Sequence, residues 1–527
     1  MGTGEEVKVA ELVATLSYAA DLGLGEPMEH CMRQTVIALR LADLADASAE
    51  DREATYYLGM LVNAYCHADA AEQASWFGDD IAFKGEGYEV LDMGTPQAIA
   101  FLVRRVGSHG TPMERARRVA ALPVTFPRKL DEFLTTHSSL ASQFVGQIGL
   151  GETLQTAVSQ AYEQWDGKGR PRHLRGEQIS LPARLVQVAG PAEVLSRRHG
   201  VESARRVVRK QAGGQVDDRL ADLFCAHAED LLDGLDEAAG WDAILDAEPA
   251  LNRRIQGAEL DNVLEAMADL VDLKSPYLAG HSRGVANLAA RAGRGLGLDP
   301  TDLTTVRRAG LLHDLGRLGV PNSIWDRPAA LREADVERVR LHPYLTDRML
   351  VRVTALRASR EVAARHHERL DGSGYPRGLT AVSLTMPDRL LAAADCFHAL
   401  MEPRPHRPAM STLDATRVVK ADVRAGRLDG DAVNAVLAAA GQRAPARREW
   451  PAGLTAREVE VLALVARGHT NREVAQRLVM SPKTVSNHVE HIYRKIDVTS
   501  RAGATLFATQ HGLVGSYEAA DAPSSLS

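Results

Sequence analysis

Long hydrophobic runs are missing from this chain of 527 residues: no apolar stretch approaches the ~18 residues of a membrane-spanning helix. That predicts a protein with no membrane partner. Aromatic residues make up 5% of the chain and cysteine only four positions. Cys31, Cys66, Cys225 and Cys396 are scattered with no CxxC pair, so neither a zinc ribbon nor a disulfide framework is expected. They read as reduced, mostly buried thiols of a cytoplasmic protein. The opening MGTGEEVKV lacks a signal-peptide core. Alternating strand-like runs are scarce as well. A net charge of −7 would argue against nucleic acid if it were evenly spread. It is not: residues 450–515 hold eight Arg/Lys against five Asp/Glu, so a +3 segment sits on a chain whose remainder carries −10.

What is present is helix. Alanine, leucine, valine and arginine recur at three- and four-residue spacing almost throughout, and the length suggests about three domains. Residues 441–453 combine Pro, Gly and Arg as a linker, extended and semi-rigid. Residues 516–527, YEAADAPSSLS with its preceding serine, form a small polar tail expected to be disordered.

The chain also repeats itself. With His137 set against His342, an offset of 205 holds without a gap for over fifty residues. It pairs Glu163 with Glu368, Asp166 with Asp371, Gly167 with Gly372, Gly169 with Gly374, Pro171 with Pro376 and Arg184 with Arg389. Upstream the offset changes, since His30 and His281 differ by 251. The two copies differ in chemistry. The second contains His281, the adjacent pair His313-Asp314, His342, the adjacent pair His366-His367, and Asp395. Imidazole nitrogens with aspartate oxygens suit first-row divalent ions, and this set can hold two ions if one carboxylate bridges. A lone histidine in a helical domain is ordinarily a surface or satisfied core residue, and His227 and His406 are read that way. In the first copy Ala161 and Tyr162 stand for His366 and His367, and Gly190 for Asp395. Only His30, His67 (with Asp69 nearby) and His137 are left, too few for a binuclear centre. The retained DGKGRP turn reads as architectural.

The motifs AGLLHDLGRLGVP, HHERLDGSGYPRGL and AAADCFHAL resemble, in order, those of the HD-GYP branch of the HD phosphohydrolases, over about residues 277–410. The resemblance implies an all-helical domain, two Fe or Mn ions, and hydrolysis of cyclic di-GMP. By position, His281, His313, Asp314, His342, His366, His367 and Asp395 would be the metal ligands, with Asp314 bridging. Asp314 and Arg317 would be catalytic, Arg317 standing at the family's lysine and suited to phosphate. Arg389, Gly372, Gly374 and Tyr375 would contact substrate. Tyr277 stands where some members carry a third-metal glutamate, hence two ions. His398 replaces the second aspartate of the DxxDAL motif. Two outcomes are open: a working phosphodiesterase, or a nucleotide sensor without useful turnover.

Residues 454–515 open LTAREVEVLALVARGHTNREVAQRLVMSPKTVSNHVEHIYRKIDV. Thr455 with Glu458 and Thr470 with Glu473 predict capping boxes, and Ser481-Pro482 a third helix start. This segment resembles the LuxR-type helix-turn-helix domain, which implies binding to double-stranded DNA, with a recognition helix at 482–496. Lys483 and Thr484 would lie near phosphate; Ser486, Asn487 and Glu490 would face the bases; Lys495 would add a further contact. Val485, Val489 and Ile492 are expected in the core, and His488 is expected buried or against backbone. The whole reads as an all-α, homodimeric regulator: residues 1–245 a degenerate HD-type domain for packing, dimerisation or sensing, 246–440 an HD-GYP-like domain binding metals and a cyclic dinucleotide, and 454–515 a DNA reader.

Overall fold

In the computed structural model, residues 6–91, 95–107, 111–249, 252–441 and 450–514 are described. Most of the expected linker and the whole expected 516–527 tail lie outside them. The fold is helical, as the periodicity requires. Its exceptions are two-residue strands, Val7–Lys8 and Arg254–Ile255, paired antiparallel with Val7 opposite Ile255.

That pairing moves a boundary. The chain forms two compact units. One comprises residues up to Ala266 with Leu318–Ser323 and Met349–Leu356; the other comprises Met267–Arg317, Ile324–Arg348 and residues from Arg357 on. Residues beyond 245 therefore stay with the first unit, because the Arg254–Ile255 strand is tied to the chain's beginning.

Both units contain the repeated pattern. Helices His30–Leu44 and His281–Gly295 are each 15 residues long, and Ala49–Leu61 and Pro300–Leu312 are each 13. A buried carboxylate holds the start of the first helix in each copy: Asp21 accepts from the Cys31 amide at 3.0 Å, and Asp272 from the Ser282 amide at 2.9 Å. The glycine-rich turns also fold alike. Glu163 accepts from the amides of Arg172 and Leu174 at 2.7 and 3.0 Å; Glu368 accepts from those of Arg377 and Leu379, both at 2.8 Å.

The equal helix lengths correct one expectation. Counting from the paired helix starts, the step that carries His313-Asp314 in the second copy carries Val62-Asn63 in the first. His67 and Asp69 are not remnants of that pair.

The C-terminal helices Ala456–Ala466, Asn471–Arg477, Pro482–Lys495 and Arg501–Gln510 follow the sequence signals. Both capping boxes form, and the Ser481 hydroxyl accepts from the Thr484 amide at 3.0 Å with Pro482 at the first helical position. Val459, Leu462, Val474, Val485, Ile492 and Ala504 close the core, with Val489 partly buried against it.

Candidate metal centre and DNA-reading face

Five histidines and two aspartates converge in the second unit. His281 opens its helix, behind Gly280 in the left-handed region at φ 77°. His313 follows helix Pro300–Leu312, which Asp299 caps by accepting from the amides of Thr301 and Asp302. The two helices touch at Gly310, where a Cβ would lie 2.6 Å from the Ala286 Cα, so only glycine permits the approach. His342 begins helix His342–Leu350, and Asp395 lies within Met386–Met401, held by the Thr385–Asp388 capping box. His366 and His367 stand in the turn after Arg357–Ala363.

Asp314 lies between two sets of imidazoles. Its Oδ1 is 3.5 Å from His342 Nε2 and 3.8 Å from His366 Nε2. Its Oδ2 is 3.1 Å from His313 Nε2 and 3.6 Å from His281 Nε2. Asp395 Oδ1 is 3.2 Å from His281 Nε2, and its Oδ2 is 3.9 Å from His367 Nδ1. Three rings are oriented by one device: Nδ1 of His313, His342 and His366 donates to the carbonyl three residues earlier, at 2.8, 2.6 and 2.7 Å. This fixes the tautomer and turns the Nε2 lone pair inward, where Nε2 of His342 and His366 lie 3.1 Å apart. His281 is oriented differently, its Nδ1 lying 2.8 Å from Glu402.

The arrangement leaves buried atoms that hydrogen bonding does not satisfy: Nε2 of His281 and His313, and both oxygens of Asp314. Even with Arg317 as its ion-pair partner, a buried carboxylate that makes no hydrogen bond and faces lone pairs is costly. Divalent cations would satisfy all four atoms at once, and the donor set suits first-row ions. Electrostatics divides the five histidines. Burial would lower His281 and His313, but the carboxylates facing them outweigh it, bringing His281 up to about 10 and raising His313, so a cation bound there would displace a proton. Burial, with neighbouring imidazoles, holds His366 and His367 well below the ordinary histidine range; burial brings His342 down to about 4. All three stay neutral ligands near neutral pH. Burial would raise the carboxyl of Asp314, but Arg317 and the histidines hold it well below the ordinary range.

Arg317 Nε lies 2.7 Å from Asp314 Oδ2, and its guanidinium stacks 4.5 Å over Trp325. Beside it a cavity of about 580 Å³ is lined by Tyr277, Arg317, Trp325, Arg327 and Arg404, among others. Trp325 and Glu402 escaped sequence reasoning. A tryptophan near the HD motif and a glutamate at the end of the Asp395 helix carry no spacing signal; only folding places them against His342 and His281.

Several expected roles change. The structure spends Arg389's guanidinium elsewhere: it donates to the Leu384 and Ala381 carbonyls at 3.0 and 2.8 Å and pairs with Asp429 at 3.0 Å. Its first-copy counterpart, Arg184, likewise pairs with a carboxylate, Asp217, at 2.7 Å, so this pairing is common to both copies. Gly372 and Gly374 serve the turn instead of a ligand. Gly372 has φ 80°, and a Cβ on Gly374 would lie 2.4 Å from the Arg369 amide nitrogen; Gly169 is confined in the same way. Tyr375 does reach the cluster, its ring 4.8 Å from that of His367. Tyr277 lies outside it, its carbonyl accepting from Arg404. His398 pairs with Glu402 at 3.2 Å.

On the reader, Lys483, Thr484, Ser486, Asn487 and Glu490 are exposed on one helix, with His488 half-buried. The Thr484 hydroxyl meets Ser481 at 2.7 Å, and Ser486 accepts from Asn471 at 3.1 Å. Lys495 is engaged within its own domain. Its ammonium bonds Glu458 at 2.7 Å and the Gly453 carbonyl at 3.0 Å, which ties helix Pro482–Lys495 to the first capping box.

Comparison with known proteins agrees with this geometry. Residues 116–207 and 265–432 match the HD domain family, and residues 452–508 match the luxR family of bacterial regulatory proteins. The two HD segments fall one in each copy of the repeat. The 3'3'-cGAMP-specific phosphodiesterase 3 of Vibrio cholerae is 30% identical over 406 residues, covering 76% of this chain and 88% of that one. The cyclic di-GMP phosphodiesterase response regulator RpfG of Xanthomonas campestris is 30% identical over 33% of this chain and 46% of its own length. A crystal structure of a cyclic GMP-AMP specific phosphodiesterase of V. cholerae superposes with a TM-score of 0.57 at 25% identity, covering 83% of this chain and 99% of that one.

Proposed function

The chain belongs to the HD-domain family and carries a luxR-family regulatory domain after its second HD segment, and from that premise we propose that it is a metal-dependent phosphodiesterase of a 3',5'-linked cyclic dinucleotide that also binds double-stranded DNA. The observation that carries the reading is Asp314, buried, with both oxygens lacking hydrogen-bond partners between two sets of inward-facing imidazole nitrogens. His281, His313 and Asp395 would hold one ion, His342, His366 and His367 the other, and Asp314 would bridge. When bound, such ions lower the pKa of a coordinated water and polarise a phosphodiester oxygen.

The chain's own groups do the rest. Arg317, charged at any working pH, sets a guanidinium fork beside the cluster, where it can neutralise a phosphate. Trp325 and Arg317, stacked on each other, line the adjoining cavity and together form a wall that a purine can meet. Tyr375 covers the His367 side. The relatives' names point to two substrates, 3'3'-cGAMP and cyclic di-GMP. Purified full-length protein with Mn or Fe decides between them by release of linear dinucleotide from each. A second reading has its own support: Arg317 already occupies the Asp314 oxygen that one ion needs. If both nucleotides bind and neither is cleaved, the domain is a sensor.

For DNA, the exposed row Lys483, Ser486, Asn487 and Glu490 supports major-groove docking, and paired half-sites would require a homodimer. Asn487→Ala should relax base preference by about 1–3 kcal/mol, read by footprinting on selected and scrambled sites. Lys483→Ala should weaken binding to both equally and lower the salt slope by about one. Absence of any protection by the full-length protein at low salt removes this half of the proposal.

A further inference from the structure

The first copy did not simply lose its metal residues; other reactive groups stand in their places. Counted from the paired helix starts, Asn63 takes the place of Asp314 and Cys66 that of Arg317, while His137 corresponds to His342 and Tyr162 to His367. These four residues meet in the first unit. The Cys66 sulfur lies 3.5 Å from the Tyr162 hydroxyl and 3.9 Å from Asn63 Oδ1. The Nδ2 end of the same Asn63 amide lies 3.7 Å from the Cys31 sulfur. The side chain that replaced the bridging carboxylate thus lies between two thiols.

His137 completes the group. Its Nε2 is 3.1 Å from Asp69 Oδ1, and Asp69 is itself held by Gln73 Nε2 at 3.1 and 3.0 Å. The ring is buried, at 5% exposure, yet its Nδ1 has no hydrogen-bond partner. Its ring faces that of Tyr162, the centroids 6.0 Å apart, so the imidazole and the Cys66 thiol converge on one tyrosine. A thiol beside an imidazole that a carboxylate orients is the arrangement that makes cysteine nucleophilic. Burial pushes the Cys66 thiol up, but His137, the Tyr162 hydroxyl and Lys84 more than offset it and hold it below the ordinary value. Burial lowers His137 too, but Asp69 outweighs it and brings the imidazole up to about 10. The other three thiols go the opposite way. Burial raises Cys225, raises Cys31 well above the ordinary range and takes Cys396 up to about 11. Cys66 is also partly exposed, whereas Cys31 is buried.

We propose that the first copy is a peroxide-reactive thiol site, with Cys66 as the attacking sulfur and Cys31 as the thiol that captures its product. The Cys66 thiolate attacks one oxygen of a hydroperoxide and the O–O bond breaks. The departing oxygen takes the proton from His137 as water or alcohol, and sulfur is oxidised to sulfenic acid. The Cys31 thiol then displaces the hydroxyl, releasing water and closing a Cys31–Cys66 disulfide. Such a bond would pull on the start of helix His30–Leu44 and the step after Ala49–Leu61.

The test uses the full-length chain. At pH 7, peptide mass spectrometry of iodoacetamide labelling should show Cys66 reacting at least tenfold faster than Cys396, which is also partly exposed. Hydrogen peroxide should produce the Cys31–Cys66 disulfide. With Cys31→Ser the reaction should stop at a sulfenic acid on Cys66 that dimedone labels. With His137→Gln, labelling of Cys66 should fall about tenfold, leave Cys396 unchanged and recover at pH 9.5. Cys66 reacting no faster than Cys396 overturns the site. A sulfenic acid at Cys66 that persists in the unsubstituted chain overturns the pair.

Discussion

At the step after their paired 13-residue helices, one copy carries His313-Asp314 and the other Val62-Asn63, and the surroundings have diverged to match. In the second copy, Glu402 orients His281 through Nδ1, and Asp395 faces the ring's other nitrogen at 3.2 Å. In the first, Glu193 takes the same Nδ1 of His30 at 2.5 Å, but Gly190 stands where Asp395 would, and Arg33 and Arg197 bind the glutamate instead. The frame is shared: carboxylate-held helix starts, glutamate-clamped turns and arginine braces. The lesson is that the frame folds without metal residues. Divergence of the first copy therefore freed its site positions, while Glu163 and Asp21 stayed bound to the backbone and Arg184 to Asp217.

The sharpest way to break this contrast is to remove ligands from each side. His366→Ala with His367→Ala should strip metal from the chain and lower hydrolysis at least about 100-fold, the scale on which even outer partners act. His30→Ala in the first copy should leave metal content unchanged. Elemental analysis of both proteins reads the result, and metal lost with His30 instead would reverse the assignment.

Next in size is Glu193→Gln. Burial would raise the Glu193 carboxyl, but His30 and Arg197 outweigh it and hold it at about 2 against an ordinary value of 4.5. A depressed carboxyl contributes stability above its unfolded value and loses it as pH falls toward the folded one. Wild type should therefore exceed the variant by about 3 kcal/mol near pH 7, shrinking as pH falls from about 4.5 toward about 2. Denaturant titrations at stepped pH measure the gap; a constant difference would show that Glu193 acts by packing alone.

Glu402→Gln, at the residue that meets His281 Nδ1 as Glu193 meets that of His30, should cost metal affinity about tenfold or more with little loss of stability, because its work is to orient that ring. Metal titration into the stripped protein separates the two effects. Smallest of all, Arg184→Ala and Arg389→Ala should each lower stability by about 1 kcal/mol, as partly exposed ion pairs do. KM for the cyclic dinucleotide should not move with Arg389→Ala; a rise would return that arginine to the substrate.

Helical class, the duplication, the seven converging residues and the reader's capped helices were all legible in the chain, because each depends on local spacing or on matching short motifs. Capping boxes at Thr455 and Thr470 need only residues three apart, and they formed as read. Arg389, Gly374 and Lys495 have close partners that the sequence did not show. A guanidinium or an ammonium can serve a ligand or its own chain, and which one it meets is decided by distant partners, as Asp429 is for Arg389 and Glu458 for Lys495; Gly374 is confined by the Arg369 amide of its own turn. Trp325, Glu402 and the Cys31–Asn63–Cys66 contact lie wholly beyond sequence reach. Which side chains could bind metal and where helices start follow from residue type and near neighbours alone. Only tertiary structure decided which donors were already spent, because hydrogen-bond satisfaction belongs to the packed interior.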